Sequence, residues 1–391
     1  MKLVVVGLGQ CGGRIADEFA RLNKKARSQR GIEIITGAFA VNTDAADLSG
    51  LVSISPDYQH RILIGGRRTG GHGVGKINEL GAEVAKEDAD KIVDAIRTAK
   101  HFFETDAFLL TAGVAGGTGS GAIPIVAQMI RERYMEKPIY AMAILPFAHE
   151  EQTEERTIYN AATCLKSLYK VADAVFLIDN QRYVRKDFSL RNNLSAINSL
   201  IVDQFYSLLC AGEEKKVRHI GAKMLDAGDI IQSLAGWTVI GYGKSPLPLF
   251  RWFSPLSRNF IKKSTETHRG IQAMDEALSE LSLKCNPADS GRALYLVSGP
   301  AKEMNMDLVK ELADYLRGIG PQAVIRNGDY PREKGELDVT LVLSELRIVE
   351  RVKWYYERAT GVIHDLKGRR GEFEGKLKEI DDVAKDIPTL L

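Results

Sequence analysis

The sequence has almost no charge of one sign in excess: 53 Lys+Arg stand against 51 Asp+Glu, a formal net charge of +2. No overall field is available to gather nucleic acid or an anionic membrane, so any charged partner must be met locally. The near balance also argues against the highly acidic surface of a salt-adapted protein. Cysteine is scarce: Cys11, Cys164, Cys210 and Cys285 lie far apart with no C-x-x-C, which points to a reducing compartment and away from a zinc site. No apolar run approaches the length of a membrane-spanning helix, about 18 residues. The opening MKLVVVGLGQ lacks a full apolar region and a small-residue cleavage site, so it reads as a first strand rather than a leader. The expected location is the cytoplasm. There is no internal repeat and no low-complexity tract. With 45% hydrophobic residues in a chain of 391, large cores can be buried and two or three domains are expected.

The first half alternates strand-like and helix-like patterns. Short apolar runs at Leu3–Val6, Ile34–Val41, Ala107–Thr111, Ile139–Leu145 and Ala174–Ile178 are bounded by Gly, Pro, Asp or Asn. Such runs suit strands buried on both faces of a parallel sheet. Between them Ile15, Phe19 and Leu22, and again Ile123, Val126 and Ile130, mark helix faces. The pattern predicts a doubly wound α/β domain. A long helix is expected over 194–211, with Leu194, Ile197, Ile201, Phe205 and Leu208 on one stripe. Strands at Trp237–Gly243, Ala293–Ser298 and Asp338–Leu343, with helices near 265–282 and 302–317, suggest a smaller α/β domain. A proline- and aromatic-rich stretch, 244–260, holds Trp252 and Phe253 and reads as a contact surface or a packed flap. The last 46 residues read as charged helices.

Glycine is plentiful, and its placement carries the chemistry. VVVGLGQCGGRIADEF runs a strand into Gly7-x-Gly9-x-x-Gly12 and then a helix, formally a dinucleotide-binding turn. LLTAGVAGGTGSGAIPIV repeats the arrangement with glycines at 113, 116, 117, 119 and 121, and adds the Thr118 and Ser120 hydroxyls. A packing turn does not need that many glycines. Two such loops at the carboxyl ends of strands of one sheet can grip one polyphosphate from two sides. A third loop, GGRRTGGHGVGKIN, supplies Gly70, Gly71, Gly73 and Gly75. Its Gly75-Lys76 approaches a P-loop, but Ile77 stands where a magnesium-binding Ser or Thr is required, which argues against a P-loop NTPase. Asn42 and Asp44 fall at a strand end, where an acid in a Rossmann enzyme binds ribose. A Rossmann NAD(P)-dependent oxidoreductase therefore stays open on these residues, although the 113–121 loop is left unexplained by it.

The AGGTGSG at 115–121 resembles the signature loop of the tubulin/FtsZ superfamily. GLGQCGG at 7–13 and LIDNQRY at 177–183 look like tubulin. VNTDAADL and GWTVIGYG look like FtsZ. With its helical C-terminus the mixture is most similar to the archaeal CetZ group. The resemblance implies a cytoskeletal GTPase using GTP and GDP, with magnesium held mainly through phosphates and water. It implies a GTP-binding domain at 1–193, a central core helix at 194–220, an activating domain at 221–345 and a helical extension at 346–391. The nucleotide contacts would fall on Gly9, Gln10, Cys11, Gly12, Gly13 and Arg14, on Gly71 and Gly73, and on Gly116, Gly117, Thr118, Gly119 and Ser120. Asn42 and Asp44 would approach the γ-phosphate and a magnesium-bound water. Glu150, in PFAHE, matches the ribose-loop acid. Asn180 and Asn198 match the guanine readers, with Tyr183 at the end of the same loop. An amide suits that task on its own chemistry, since it both accepts from N1–H or N2–H₂ and donates to O6.

Asp226 and Asp229, in HIGAKMLDAGDIIQSL, share one side of a helix start. They are either capping residues that complement the helix dipole or the acids that the next subunit inserts against the γ-phosphate. The resemblance implies the second role and a head-to-tail filament that controls cell shape. Two departures stand out. Glu154 occupies the place of an FtsZ arginine four residues beyond the ribose-loop acid, and Met224 replaces an asparagine in the catalytic loop. The last 46 residues resemble neither the acidic tail of tubulin nor the linker and terminal peptide of FtsZ, so recognition by FtsZ-type adaptor proteins is not expected. Nucleic acid is not an expected partner, and membrane association is expected only indirectly. A nucleotide-binding protein that neither hydrolyses nor polymerises is the remaining alternative.

Overall fold

A computed structural model of the chain describes residues 1–184, 190–247 and 260–368. Most of the 244–260 stretch, with Trp252 and Phe253, lies outside the described residues, as does the charged C-terminus beyond 368. The chain forms two compact units. One comprises Lys2–Lys25, Ile35–Val202 and the chain from Val349; the other comprises Met1, Ala26–Ile34 and Asp203–Ile348.

The first unit is built on six parallel strands: β1 (Leu3–Leu8), β2 (Ile35–Asn42), β3 (Arg61–Leu63), β4 (Ala107–Gly113), β5 (Ile139–Leu145) and β6 (Ala174–Asp179). Their order is β3-β2-β1-β4-β5-β6. The core strands β1 and β5 are buried at every residue, as expected where helices cover both faces. Ile15, Phe19 and Leu22 of the helix Gly9–Arg30 have no exposed surface, nor do Ile123, Val126 and Ile130 of the helix Thr118–Arg133. The order reverses between β1 and β4, and at such a switch point an open α/β sheet binds ligands outside the carboxyl ends of its strands.

The C-terminal helix Glu350–Gly368 belongs to this unit and packs on the helix Glu155–Val171. Arg351 pairs with Glu151 at 2.5 Å, and the buried Tyr355 donates its hydroxyl to the same carboxylate.

The second unit carries β7 (Gly236–Pro246), β8 (Arg292–Gly299), β9 (Val324–Pro331) and β10 (Glu336–Ser344). Strand β10 runs antiparallel to both β7 and β8, and β8 pairs in parallel with β9.

The single helix expected over 194–211 is two helices, Leu190–Asp203 and Tyr206–Ala211, broken at Gln204–Phe205. The break falls where the chain passes from one unit to the other, so the two pieces pack into different cores. Contrary to the expectation of no such stretch, Leu194–Ala211 has the length and mean hydropathy (1.3) of a membrane span. The turn within it and the burial of Ile197, Ile201, Phe205 and Leu208 make it core.

Candidate functional site

Five strand ends of the first unit deliver the candidate residues to one place. Strand β1 runs straight into the helix Gly9–Arg30, and β4 leads through Gly116–Gly117 into the helix Thr118–Arg133. The two loops touch backbone to backbone. Gly9 adopts φ +69°, and a β-carbon there would lie 2.8 Å from the Gly119 nitrogen. Only glycine satisfies both the left-handed conformation and this approach.

Around the loops opens a cavity of about 430 Å³. Its walls include Gly9, Gln10, Cys11 and Arg14 after β1, Asn42 and Asp44 after β2, and Gly73 of the third glycine loop. They continue with Gly116, Gly117, Thr118 and Gly119 after β4, Glu150 after β5, Asn180 after β6, and Asn198 of the helix Leu190–Asp203.

Five predicted residues do not line it. Gly12 faces β4, where a β-carbon would meet the Thr111 carbonyl oxygen at 2.0 Å, and Gly13 faces Ala40 of β2. The Ser120 hydroxyl turns back to donate to the Gly116 carbonyl. Gly71 accepts from Ala45 N at 3.1 Å, tying the third loop to the segment after β2. Tyr183 ends the 3₁₀ turn Asn180–Tyr183, about 6 Å along its axis from Asn180. Small residues serve tight packing as readily as phosphate approach, and sequence does not separate the two.

Two charged wall residues, Asp47 and Lys76, are not among those the sequence points to. Asp47 accepts from Gln10 Nε2 at 2.6 Å and from Asn42 Nδ2 at 3.1 Å, so one carboxylate orients both amides. Asp44 caps the short helix Ala45–Ser49: its Oδ1 accepts from Ala46 N and Asp47 N at 2.9 and 3.1 Å. Glu150 places Oε2 on Phe147 N at 2.9 Å, which fixes the turn after β5. Burial, reinforced by the Glu150 carboxylate and opposed by Arg14, pushes the Cys11 thiol up to about 12. Cys11 is therefore a neutral wall residue, not a thiolate nucleophile. Among the described residues no three His, Cys, Asp or Glu side chains cluster as a metal site.

The second unit holds the Asp226 loop along β9. Asp329 accepts from Ala222 N and Lys223 N at 3.0 and 2.6 Å, and Lys223 returns its carbonyl to Asp329 N. The exposed Asp226 caps the helix Ala227–Ser233, accepting from Asp229 N at 2.8 Å, so the capping reading of this residue is realised. Asp229 stands 3.5 Å from Arg326 Nε and keeps 42% of its side chain exposed. In the chain segment that leads to Asp226, Val217, Ile220 and Met224 expose 84%, 40% and 47% of their surface.

Residues 2–186 match the GTPase domain of the tubulin/FtsZ family, and residues 187–361 match the C-terminal domain of tubulin-like CetZ proteins. The tubulin-like protein CetZ1 of Haloferax volcanii is 32% identical over 369 residues, 90% of each chain. The chain belongs to the CetZ group. The CetZ of Pyrococcus furiosus is 28% identical over 98% of each chain. Among solved structures, CetZ1 of Haloferax volcanii as a GDP-bound monomer superposes with TM-score 0.78 at 29% identity, over 93% of this chain and 99% of that one. CetZ2 from the same organism, a GTPγS-bound protofilament, gives 0.80 at 28% identity over 94% and 100%. The fold is thus the tubulin-like one, with an N-terminal GTPase domain and a CetZ C-terminal domain.

Proposed function

We propose that this CetZ-group chain binds GTP in the cavity over β1 and β4, hydrolyses it to GDP and phosphate, and polymerises head to tail. The observation that carries the reading is the pair of glycine loops abutting at Gly9 and Gly119 on either side of the switch point. One such loop serves a dinucleotide; two facing each other suit a polyphosphate chain. The backbone N–H groups of Gly9–Cys11 and of Gly117–Gly119 hold the phosphates, with the Thr118 hydroxyl as a further donor. Glu150 takes the ribose, and Asn180 and Asn198 read the guanine edge.

Magnesium, if bound with the nucleotide, would supply charge neutralisation of the phosphates, with Asp44 as the wall residue to meet its water. Asp44 fits the expected contact with a magnesium-bound water, because its two capping bonds use Oδ1 alone. Asp226 and Asp229 of one copy orient the attacking water in the site of the next. Positioning is the main demand of phosphoryl transfer, and the two glycine loops themselves offer no carboxylate or imidazole as a base. Exposure of Asp226, of 42% of the Asp229 side chain, and of Val217, Ile220 and Met224 in the preceding segment supports burial against a second copy, and such a heterologous contact propagates a filament. The GTPγS-bound protofilament of the related CetZ2 supports the same reading. Control of cell shape is the role that the group suggests.

Denaturing the purified protein and identifying the released nucleotide tests the assignment. GDP or GTP is expected; NAD would reinstate the oxidoreductase reading.

A further inference from the structure

Lys76 is set apart from the other wall residues by its backbone. Its φ is +61°, one of two non-glycine residues with positive φ among the described residues, in a loop where Gly73 and Gly75 are left-handed too. Glycine is the ordinary occupant of such a position, so a lysine there asks for a use of its side chain.

The main chain is fixed. The Lys76 carbonyl accepts from Arg156 Nε at 3.0 Å and from Asn160 Nδ2 at 2.9 Å. The same Asn160 nitrogen also donates to Ala115 O at 3.0 Å, which ties this loop to the second glycine loop. The side chain is held lightly by comparison. Lys76 Nζ pairs with Glu154 Oε2 at 2.6 Å, with 42% and 48% of the two side chains exposed. Exposed pairs of this kind contribute little and exchange easily for a stronger anion.

The charge of the cavity wall gives that exchange a direction. Arg14 and Lys76 are its Lys and Arg side chains, against the carboxylates of Asp44, Asp47 and Glu150. A terminal phosphate carries more charge than the Glu154 carboxylate. Glu154 in turn occupies the place where an arginine was expected by resemblance. Arg156, two residues on, is engaged by the Lys76 carbonyl and by Glu79.

We propose that Lys76 binds the terminal phosphate of a nucleoside triphosphate, and that Glu154 holds its ammonium when that phosphate is absent. The pair is a sensor of the third phosphate, which deepens and rests on the reading of the cavity as a GTP site. Lysine acts as a point charge on a flexible stem, and this suits a group that changes partners.

The test compares mant-GTPγS and mant-GDP binding by fluorescence anisotropy, on full-length protein kept dilute to avoid assembly. Lys76→Met should weaken the triphosphate by about tenfold, the loss of one charge-assisted contact, and the diphosphate by less than about twofold. Retained diphosphate binding shows that the variant is folded. Glu154→Gln should strengthen the triphosphate alone, and the double variant should behave as Lys76→Met. An unchanged ratio of the two affinities in Lys76→Met, with both kept or both reduced, overturns the proposal. Wild-type protein that binds neither probe overturns the GTP reading, and the proposal with it.

Discussion

The hydroxyls of Thr43 and Thr118 lie 2.6 Å apart, both residues buried, and join the segment after β2 to the first residue of the helix that follows β4. One hydrogen bond thus couples the Asn42–Asp44 wall of the cavity to its second glycine loop. Thr43→Val keeps the shape but leaves the Thr118 hydroxyl without this partner, at a cost of about 1–3 kcal/mol. Adding Thr118→Val should cost less than the sum of the two single changes. Urea denaturation of the four proteins measures the coupling; strictly additive values would show that the pair does not link the loops.

Gly9 and Gly31 both have positive φ, +69° and +73°, but only Gly9 is crowded; a β-carbon at Gly31 meets nothing within 4 Å. Gly31→Ala should therefore show conformational strain alone, about 1–2 kcal/mol. Gly9→Ala should be the more destabilising and should also abolish nucleotide binding. Thermal unfolding with and without GDP checks this, and equal losses would remove the close approach of the two loops from the account.

How plainly an element shows in the sequence depends on what its residues have to do in the fold. Val4, Val5 and Val6 have no exposed surface, and a strand buried on both faces announces itself as an apolar run. Strand β3 has three residues and one buried side chain, Ile62, too little to stand out. Strand β9, VIRNGDYP, begins exposed and carries Arg, Asn and Asp, because Asp329 serves the Asp226 loop rather than the core. In the site, residues at strand ends were readable by position. Asp47 and Lys76 were not, since Asp47 meets Gln10 37 residues away and Lys76 meets Glu154 78 residues away. The mixed roles of the glycines were hidden for the opposite reason: the motif is visible, but which face of the turn each glycine serves is settled by packing.

Asp226 has a cap to maintain besides its proposed part in hydrolysis, and two substitutions separate the roles. Asn caps as well as Asp, so Asp226→Asn should keep wild-type stability, whereas Asp226→Ala should lose about 1 kcal/mol. Both should bind GTP and leave it largely uncleaved. Normal turnover in Asp226→Asn would confine this residue to capping.

Burial, with Arg30 nearby, holds His219 below the ordinary imidazole value of 6.5, and its Nδ1 lies 3.2 Å from the Pro331 carbonyl, as a neutral donor would. The folded protein then binds fewer protons here than the unfolded chain. This contribution to stability is fully present above pH 6.5 and is lost as the pH falls from there through the depressed folded value. Wild type should lose more stability than His219→Gln between about pH 7.5 and about pH 5.5. Parallel denaturation curves for the two proteins across that window would show that His219 does not titrate with folding.

Completion of the site by a second copy makes turnover depend on protein concentration. The direct measurement is phosphate release from GTP per molecule of protein as protein concentration is raised, with light scattering followed in the same samples. Negligible turnover is expected below a threshold, then a steep rise that coincides with scattering and is lost in Asp226→Asn. Turnover per molecule that stays flat across the concentration range would contradict it.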